Sequence, residues 1–106
     1  MKNPSAGTEP PADFAVEFGP HWRRWAKHRT DAELEEVAER LPPLLKCFGK
    51  PHQHAGLGVR RLEGNAFEFR ISRGIRVVFL YHKPNTLKLT MIGTHDAVRA
   101  WLRENI

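Results

Sequence analysis

The chain has 106 residues, of which 41% are hydrophobic, and this length and composition favour one domain with a single modest core. The 17 Lys and Arg residues outnumber the 12 Asp and Glu residues, and the formal net charge of +5 favours an anionic partner. One cysteine excludes an internal disulfide, and no apolar run is long enough for a signal peptide or a transmembrane helix, so we expect a cytoplasmic protein without a membrane function.

The N-terminal part of the sequence predicts a polar tail followed by a strand and a helix. Residues 1–11 are rich in Pro, Gly, Ser and Thr, so we expect a mobile tail, with the domain spanning residues 12–106. Residues 12–18 alternate between apolar and polar side chains and predict the first strand. A helix follows, and the spacing of Trp22 and Trp25 on it favours core packing over base stacking.

A second helix is predicted from its capping residues and its periodicity. Thr30 followed by Glu33 has the pattern of a capping box. Pro42 and Pro43 are expected to end or kink this helix, because proline lacks the backbone N–H that a helix interior needs. The apolar stripe expected to face the core consists of Leu34, Val37, Ala38 and Leu41. The outer face is acidic, so the negative charge is kept away from the arginines that follow.

Residues 59–92 contain four short apolar segments separated by turn residues, and they predict a strand meander. In its central hairpin, Gly74 suits a three-residue loop formed by residues 72–74. This loop places six apolar side chains on one face of the sheet. The expected pairs are Phe67 with Phe79, Phe69 with Val77, and Ile71 with Ile75.

The same register places Arg70 opposite Arg76 on the other face of the hairpin. Like charges directly opposite each other destabilise a sheet, and a phosphate bound by both guanidinium groups would offset that cost. Alternatively, Glu68, a chain terminus or water screens the two charges, and the face is an ordinary exposed one. Four further residues extend the basic surface, although alternation puts only one of the first two on the face of Arg70: Arg60, Arg61, Arg73 and His82.

Six histidines are candidates for proton transfer near neutral pH, and His95 is the strongest of them. Thr94 is the predicted N-cap of a final helix whose buried stripe contains Val98, Trp101 and Leu102, so His95 lies at a helix N-terminus, which attracts anions. His52 and His54 form a His-x-His pair, but no Cys or acidic ligands accompany them at suitable spacing, so we expect neither a metal nor another cofactor.

Taken in chain order, these motifs resemble the RelE/ParE superfamily of bacterial toxin–antitoxin toxins. Members combine an arginine-bearing strand meander with a last strand that exits in a Gly-x-His or Gly-Lys-Arg signature, which residues 93–95 match as Gly-Thr-His. The resemblance covers roughly residues 13–104. It implies an α+β fold with the order β-α-α-β-β-β-β-α and a small, mainly antiparallel, twisted sheet packed on helices.

The resemblance implies a type II toxin that is a ribosome-dependent endoribonuclease, or mRNA interferase. Such an enzyme cuts messenger RNA in the ribosomal A site by metal-independent attack of the 2′-hydroxyl, and so inhibits translation. His54 is the implied base and His95 the implied acid, while Arg70 and Arg76 stabilise the phosphate. Arg60, Arg61, Arg73 and His82 are the implied RNA-binding residues. The implied partner is a cognate acidic antitoxin.

Within the superfamily, the branch typified by the YafQ toxin has an Asp-His-x-Leu stretch that residues 53–57 match loosely, and a Gly-Thr-His sequence that residues 93–95 match. The chain departs from this branch at Arg70, where the branch has a further catalytic histidine. Two alternatives remain open. One is a ParE-like toxin that inhibits DNA gyrase without cleaving RNA, although such chains generally lack a histidine at the position of His95. The other is an inactive, toxin-derived binding module.

Overall fold

A computed structural model describes residues 14–50, 55–72 and 74–106. The predicted tail, His54 and Arg73 therefore lie outside the described residues. The described elements follow the predicted order β-α-α-β-β-β-β-α. They are β1 (Ala15–Phe18), α1 (Trp22–Ala26), α2 (Asp31–Cys47), a short 3-10 helix (Ala55–Leu57), β2 (Arg60–Glu63), β3 (Ala66–Arg70), β4 (Ile75–His82), β5 (Thr86–Thr94) and α3 (His95–Asn105).

The described strands form one five-stranded sheet in the order β1-β5-β4-β3-β2. Its pairs are antiparallel except for β1, which runs parallel to β5 at one edge. The predicted register of the central hairpin is confirmed, since Phe67 pairs with Phe79 and Phe69 with Val77. The apolar pattern therefore fixed which side chains share a face.

Both faces of the sheet are covered, each by a different helix. On one face, the six apolar hairpin residues pack with side chains of α2 such as Val37 and Leu44 in the main core. On the other face, Val78 and Met91 pack against Val98 and Trp101 of α3 in a smaller cluster. The predicted buried stripe of α3 is confirmed. At the end of the sheet that carries the arginines, Arg70 is exposed and Arg76 is half-buried.

Helix α2 begins where its local sequence predicts, but it ends later than its prolines predict. The predicted capping box is present, with Thr30 Oγ1 accepting from the N–H of Glu33 and Glu33 Oε1 accepting from the N–H of Thr30. Of the two predicted effects of Pro42 and Pro43, an end of the helix is wrong, because α2 continues to Cys47, while a kink stays a prediction. Burial of Leu44 and Cys47 in this last part offsets the hydrogen bonds that proline removes. Within the described ranges, no helix has the length and apolar character needed to span a membrane.

Candidate functional site

Two arginines face each other across the central hairpin, as the sequence predicted. Arg70 of β3 pairs in register with Arg76 of β4, and Arg76 in turn lies beside Gly93 of β5. The Arg70 side chain is exposed and passes over Gly58, where an added Cβ would lie 2.6 Å from Arg70 Nε. In the described part of the chain, Arg70 makes no ion pair, so its guanidinium charge is available to a ligand.

A buried carboxylate lies between two other arginines of this region. Glu68 is 1% exposed, and its Oε2 accepts from Arg76 Nη1 at 2.6 Å and from Arg60 Nε at 2.9 Å. A carboxylate out of contact with water needs such charged partners, because an isolated buried charge is strongly unfavourable. Glu68 therefore compensates Arg76 and Arg60, whereas no described residue forms an ion pair with Arg70. The two arginines that the sequence pattern presents as an equivalent pair thus have different surroundings.

The Glu68 carboxylate also lies at the wall of a cleft between the β2–β3 edge and α3. The cleft has a volume of about 440 Å³. Its charged lining residues are Arg60, Arg61, Glu68, His95, Arg99 and Arg103. Four arginines against one carboxylate make this basic cleft attractive to an anion, particularly a phosphate, which the planar guanidinium group binds in bidentate fashion.

His95 lines the basic cleft because α3 begins directly after the last residue of β5. Thr94 caps the helix, its Oγ1 accepting from the N–H of Ala97 at 3.2 Å, and His95 is the first helical residue. Gly93 permits this close turn, since an added Cβ would lie 3.0 Å from the Cβ of Ala97. The imidazole is exposed beside the arginines, where it is accessible to a bound ligand.

Sequence reasoning missed two basic residues of the cleft, Arg99 and Arg103. Both lie on α3, four and eight residues after His95, so the three side chains share one side of the helix. This four-residue spacing was the signal available in the sequence. The buried stripe of α3, from which the helix is predicted, gives no indication of these two exposed arginines.

The sequence matches no protein-family model and no curated protein. The structure, in contrast, is similar to solved toxins. An E. coli RelE mutant in the free state superposes with a TM-score of 0.65 at 14% identity, covering 90% of this chain and 100% of that chain. RelE in the RelE–RelB complex of Pyrococcus horikoshii OT3 gives 0.61 at 16% identity, covering 78% and 96%. YafQ from E. coli strain BL21(DE3) gives 0.55 at 12% identity, covering 80% and 97%.

This chain has the RelE-like fold. The resemblance inferred from the strand meander and the Gly-Thr-His exit is thereby confirmed as a similarity of architecture. At these identities the comparison establishes the fold alone.

The RelE-like fold brings some of the predicted site residues together and separates another. Arg70, Arg76 and the start of α3 at His95 lie at the same end of the sheet, next to one another across β3, β4 and β5. His82 lies at the opposite end of β4, six residues from Arg76, or roughly 20 Å along the strand. The cluster therefore does not include His82.

Both arginines of the neighbouring strand β2 line the basic cleft, but they make different contacts. Arg60 pairs in register with Glu68 and shares its face, whereas Arg61 pairs with Phe67 and donates from Nε to the carbonyl oxygen of Gly64 at 2.9 Å. The register of β2 shifts after Arg61, and both side chains line the basic cleft. Over the ranges 14–50, 55–72 and 74–106, no group of three or more His, Cys, Asp or Glu residues is arranged to hold a metal ion.

Proposed function

We propose that this chain is the toxin of a type II toxin–antitoxin system and a ribosome-dependent endoribonuclease that cuts messenger RNA in the ribosomal A site. One observation carries the proposal: on a RelE-like fold, Arg70, which has no ion-pair partner among the described residues, lies beside Arg76 at the end of the sheet where His95 begins α3. Guanidinium groups can stabilise the charge that develops in phosphodiester cleavage, and an imidazole can transfer protons in the same reaction without a metal.

The reaction proposed here begins when a ribose 2′-oxygen attacks the adjacent phosphorus. The P–O5′ bond then breaks, leaving a 2′,3′-cyclic phosphate and a 5′-hydroxyl. Negative charge develops on the phosphoryl oxygens during this step, and Arg70 and Arg76 stabilise it. Arg70 is free to make the direct contact, while Arg76 is held in a fixed orientation by Glu68. Removing one such contact is expected to cost about 3 kcal/mol in the transition state, or roughly a hundredfold in rate.

Proton transfer is assigned to two histidines. His95 protonates the departing 5′-oxygen, and His54 removes the proton from the 2′-hydroxyl. His95 is exposed at the mouth of the basic cleft, where a phosphate bound by the arginines is within its reach. The role of His54 rests on the resemblance to the YafQ branch. Arg60, Arg61 and Arg73, joined by Arg99 and Arg103 of the cleft lining, bind the flanking phosphates.

The partner we propose is a small acidic antitoxin that neutralises the toxin by covering the basic cleft. Several solved structures similar to this chain are RelB–RelE complexes, so a RelE-like fold is compatible with such a partner. Four arginines in one cleft provide the charge complementarity for acidic side chains. An antitoxin bound there would exclude RNA from the same surface.

The experiment that tests the function is primer extension on cellular messenger RNA after brief induction of the wild-type chain and of His95→Ala. We expect discrete in-frame cuts with the wild-type chain and their loss in the variant. Growth arrest without any cuts would contradict the nuclease assignment and indicate another target, such as DNA gyrase. A chain with neither effect would be an inactive binding module.

A further inference from the structure

A second exposed surface lies at the other edge of the sheet, where β1 ends and α1 begins. Phe18 is 56% exposed, although it is a large apolar residue. Its ring leans against Trp22, with centroids 5.5 Å apart and an interplanar angle of 51°. The two rings, together with Gly19, Pro20 and Arg23, line a cleft of about 610 Å³. An aromatic ring is thus held open to solvent beside a guanidinium group.

The exposed charged side chains on the helix beside these rings are positive. Helix α1 has no acidic residue in its first turn, and its exposed cations include Arg23 and Arg24, with Lys27 immediately after the helix. Arg23 and Lys27 are four residues apart and so lie on one side of the helix. Glu17 precedes Phe18, but alternation along β1 directs it away from the Phe18 side. None of these three cations forms an ion pair with any residue that the structure describes.

We propose that this aromatic–basic surface, formed by Phe18, Trp22, Arg23 and Lys27, binds single-stranded RNA by stacking an unpaired base on Phe18 and contacting its phosphates through the two cations. Stacking on an aromatic side chain combined with nearby positive charge is how proteins hold single strands irrespective of sequence. The proposal rests on the proposed function only in taking RNA as the anion. It adds a contact outside the basic cleft, at a place where no residue has a role in cleavage.

The size of the apolar part favours RNA over a protein partner. A stable protein–protein interface buries a core of many apolar residues, whereas the exposed apolar area here is essentially one ring resting on a second. A base needs only one ring face, and Arg23 lines the same cleft as that ring. Surface and ligand therefore match in size as well as in charge.

The position of the surface predicts a dependence on RNA length. β1 and β2 form opposite edges of the five-stranded sheet, so the β2 side of the basic cleft, which carries Arg60 and Arg61, lies about 19 Å from β1 across the strands. A short oligonucleotide bound in the basic cleft does not reach Phe18. A longer strand reaches both surfaces, and its affinity should depend on both.

The test measures binding of 2′-O-methyl oligoribonucleotides, which lack the attacking hydroxyl and remain intact, to the full-length chain. Lengths of about 4 and about 16 nucleotides are compared, because single-strand sites in proteins span this range. We expect Phe18→Leu and Arg23→Ala to weaken binding of the longer RNA about tenfold and to leave the shorter one unchanged. Arg23→Ala should also reduce the slope of log affinity against log salt by about one. Lys46→Ala, an exposed cation on α2, is the charge-matched control.

Phe18→Trp keeps a stacking ring and should restore binding of the longer RNA, which separates stacking from mere structural support. If Phe18→Leu and the wild-type chain bind the longer RNA with equal affinity, the proposal is overturned. A failure of the wild-type chain to bind either RNA, or unchanged RNA binding with loss of a protein partner, would also overturn it. Length-dependent binding without any messenger RNA cleavage would support this surface while contradicting the proposed nuclease.

Discussion

Glu68 and Arg76 form a hydrogen-bonded ion pair of 2.6 Å in which the carboxylate is 1% exposed and the arginine side chain 18% exposed. The pair is part of the candidate site and also stabilises the fold. Removal of Glu68 leaves Arg76 without its carboxylate partner, and removal of Arg76 leaves the buried carboxylate paired only with the largely exposed Arg60. Breaking a buried ion pair in this way costs about 3–5 kcal/mol in proteins. The function of Arg76 therefore cannot be tested by deletion without following stability.

The first prediction concerns this pair. Glu68→Ala and Arg76→Ala should each lower the free energy of unfolding by about 3 kcal/mol, and the double variant should lose clearly less than the sum, because neither charge is then left alone. Urea denaturation of the wild-type chain, the two single variants and the double variant measures these free energies. Arg60→Ala is the control, since Arg60 binds the same carboxylate but is 61% exposed, and it should cost below about 1 kcal/mol. Strictly additive losses would show that Glu68 and Arg76 do not depend on each other.

Arg70 offers a cleaner test of the phosphate contact than Arg76 does. Its side chain is exposed and makes no ion pair within the described ranges, so Arg70→Ala should leave the melting temperature nearly unchanged while slowing RNA cleavage roughly a hundredfold. Cleavage is measured on ribosomes programmed with a defined message. Lys46→Ala removes the same charge from α2 and should cleave normally. If Arg70→Ala also cleaves normally, Arg70 does not contact the scissile phosphate.

Gly58 is expected to control where the Arg70 side chain lies. Gly58→Ala would place a Cβ 2.6 Å from Arg70 Nε, so the guanidinium must move. Gly64→Ala is a matched control, because both glycines have positive φ, at 69° and 57°, yet nothing lies within 4 Å of a Cβ at Gly64. Both variants should lose about 1–2 kcal/mol of stability through backbone strain, and only Gly58→Ala should also slow cleavage. Equal rates in the two variants would argue against any need for this Arg70 position.

His95→Gln tests proton transfer without removing a polar side chain. Because His95 is exposed, the change in stability should stay within about 0.5 kcal/mol. Cleavage should slow by about 10²–10⁴-fold, and the pH–rate profile should lose the limb that reports the general acid. The measurement is the single-turnover cleavage rate as a function of pH. A slower reaction with an unchanged profile would give His95 a binding role instead.

Cys47 provides a test of the fold that is independent of function. Burial raises the pKa of the Cys47 thiol above its ordinary value, which lowers the fraction of reactive thiolate. Alkylation of the folded chain near pH 8 should therefore be slow and should become fast in denaturing urea. A free model thiol run in parallel calibrates the reagent. Rapid alkylation of the folded chain would contradict the burial of Cys47 at the end of α2.

The register of the central hairpin was predictable because it depends on local chemistry. Gly74 suits the left-handed position of a three-residue loop, and its φ is 77°. The alternation of large apolar residues then leaves one register that fills a core, which is why Arg70 could be placed opposite Arg76.

The full set of partners of Glu68 was not predictable in the same way. The sequence offered Glu68 as a screen for Arg70 and Arg76, and it pairs with Arg76 but not with Arg70. Its second partner, Arg60, depends on how β2 docks on β3, including the register shift between Arg61 and Glu63, and no local pattern encodes that shift. Continuation of α2 past Pro42 has a similar origin, because burial of Leu44 in the core overrides a local preference. Sequence patterns thus identified the basic face, while tertiary contacts determined which of its charges stay available.

The parallel pairing of β1 with β5 has a consequence for synthesis of the chain. Ala15 pairs with Thr86 and Phe18 with Leu89, so β1 has its sheet partner only after about 70 further residues have been added. At typical rates of translation this interval is roughly 4–14 s. Throughout it β5 is absent, and Arg76 has no Gly93 beside it. A nascent chain is therefore without its complete sheet for several seconds, and the parallel β1–β5 pair is completed only near the end of synthesis.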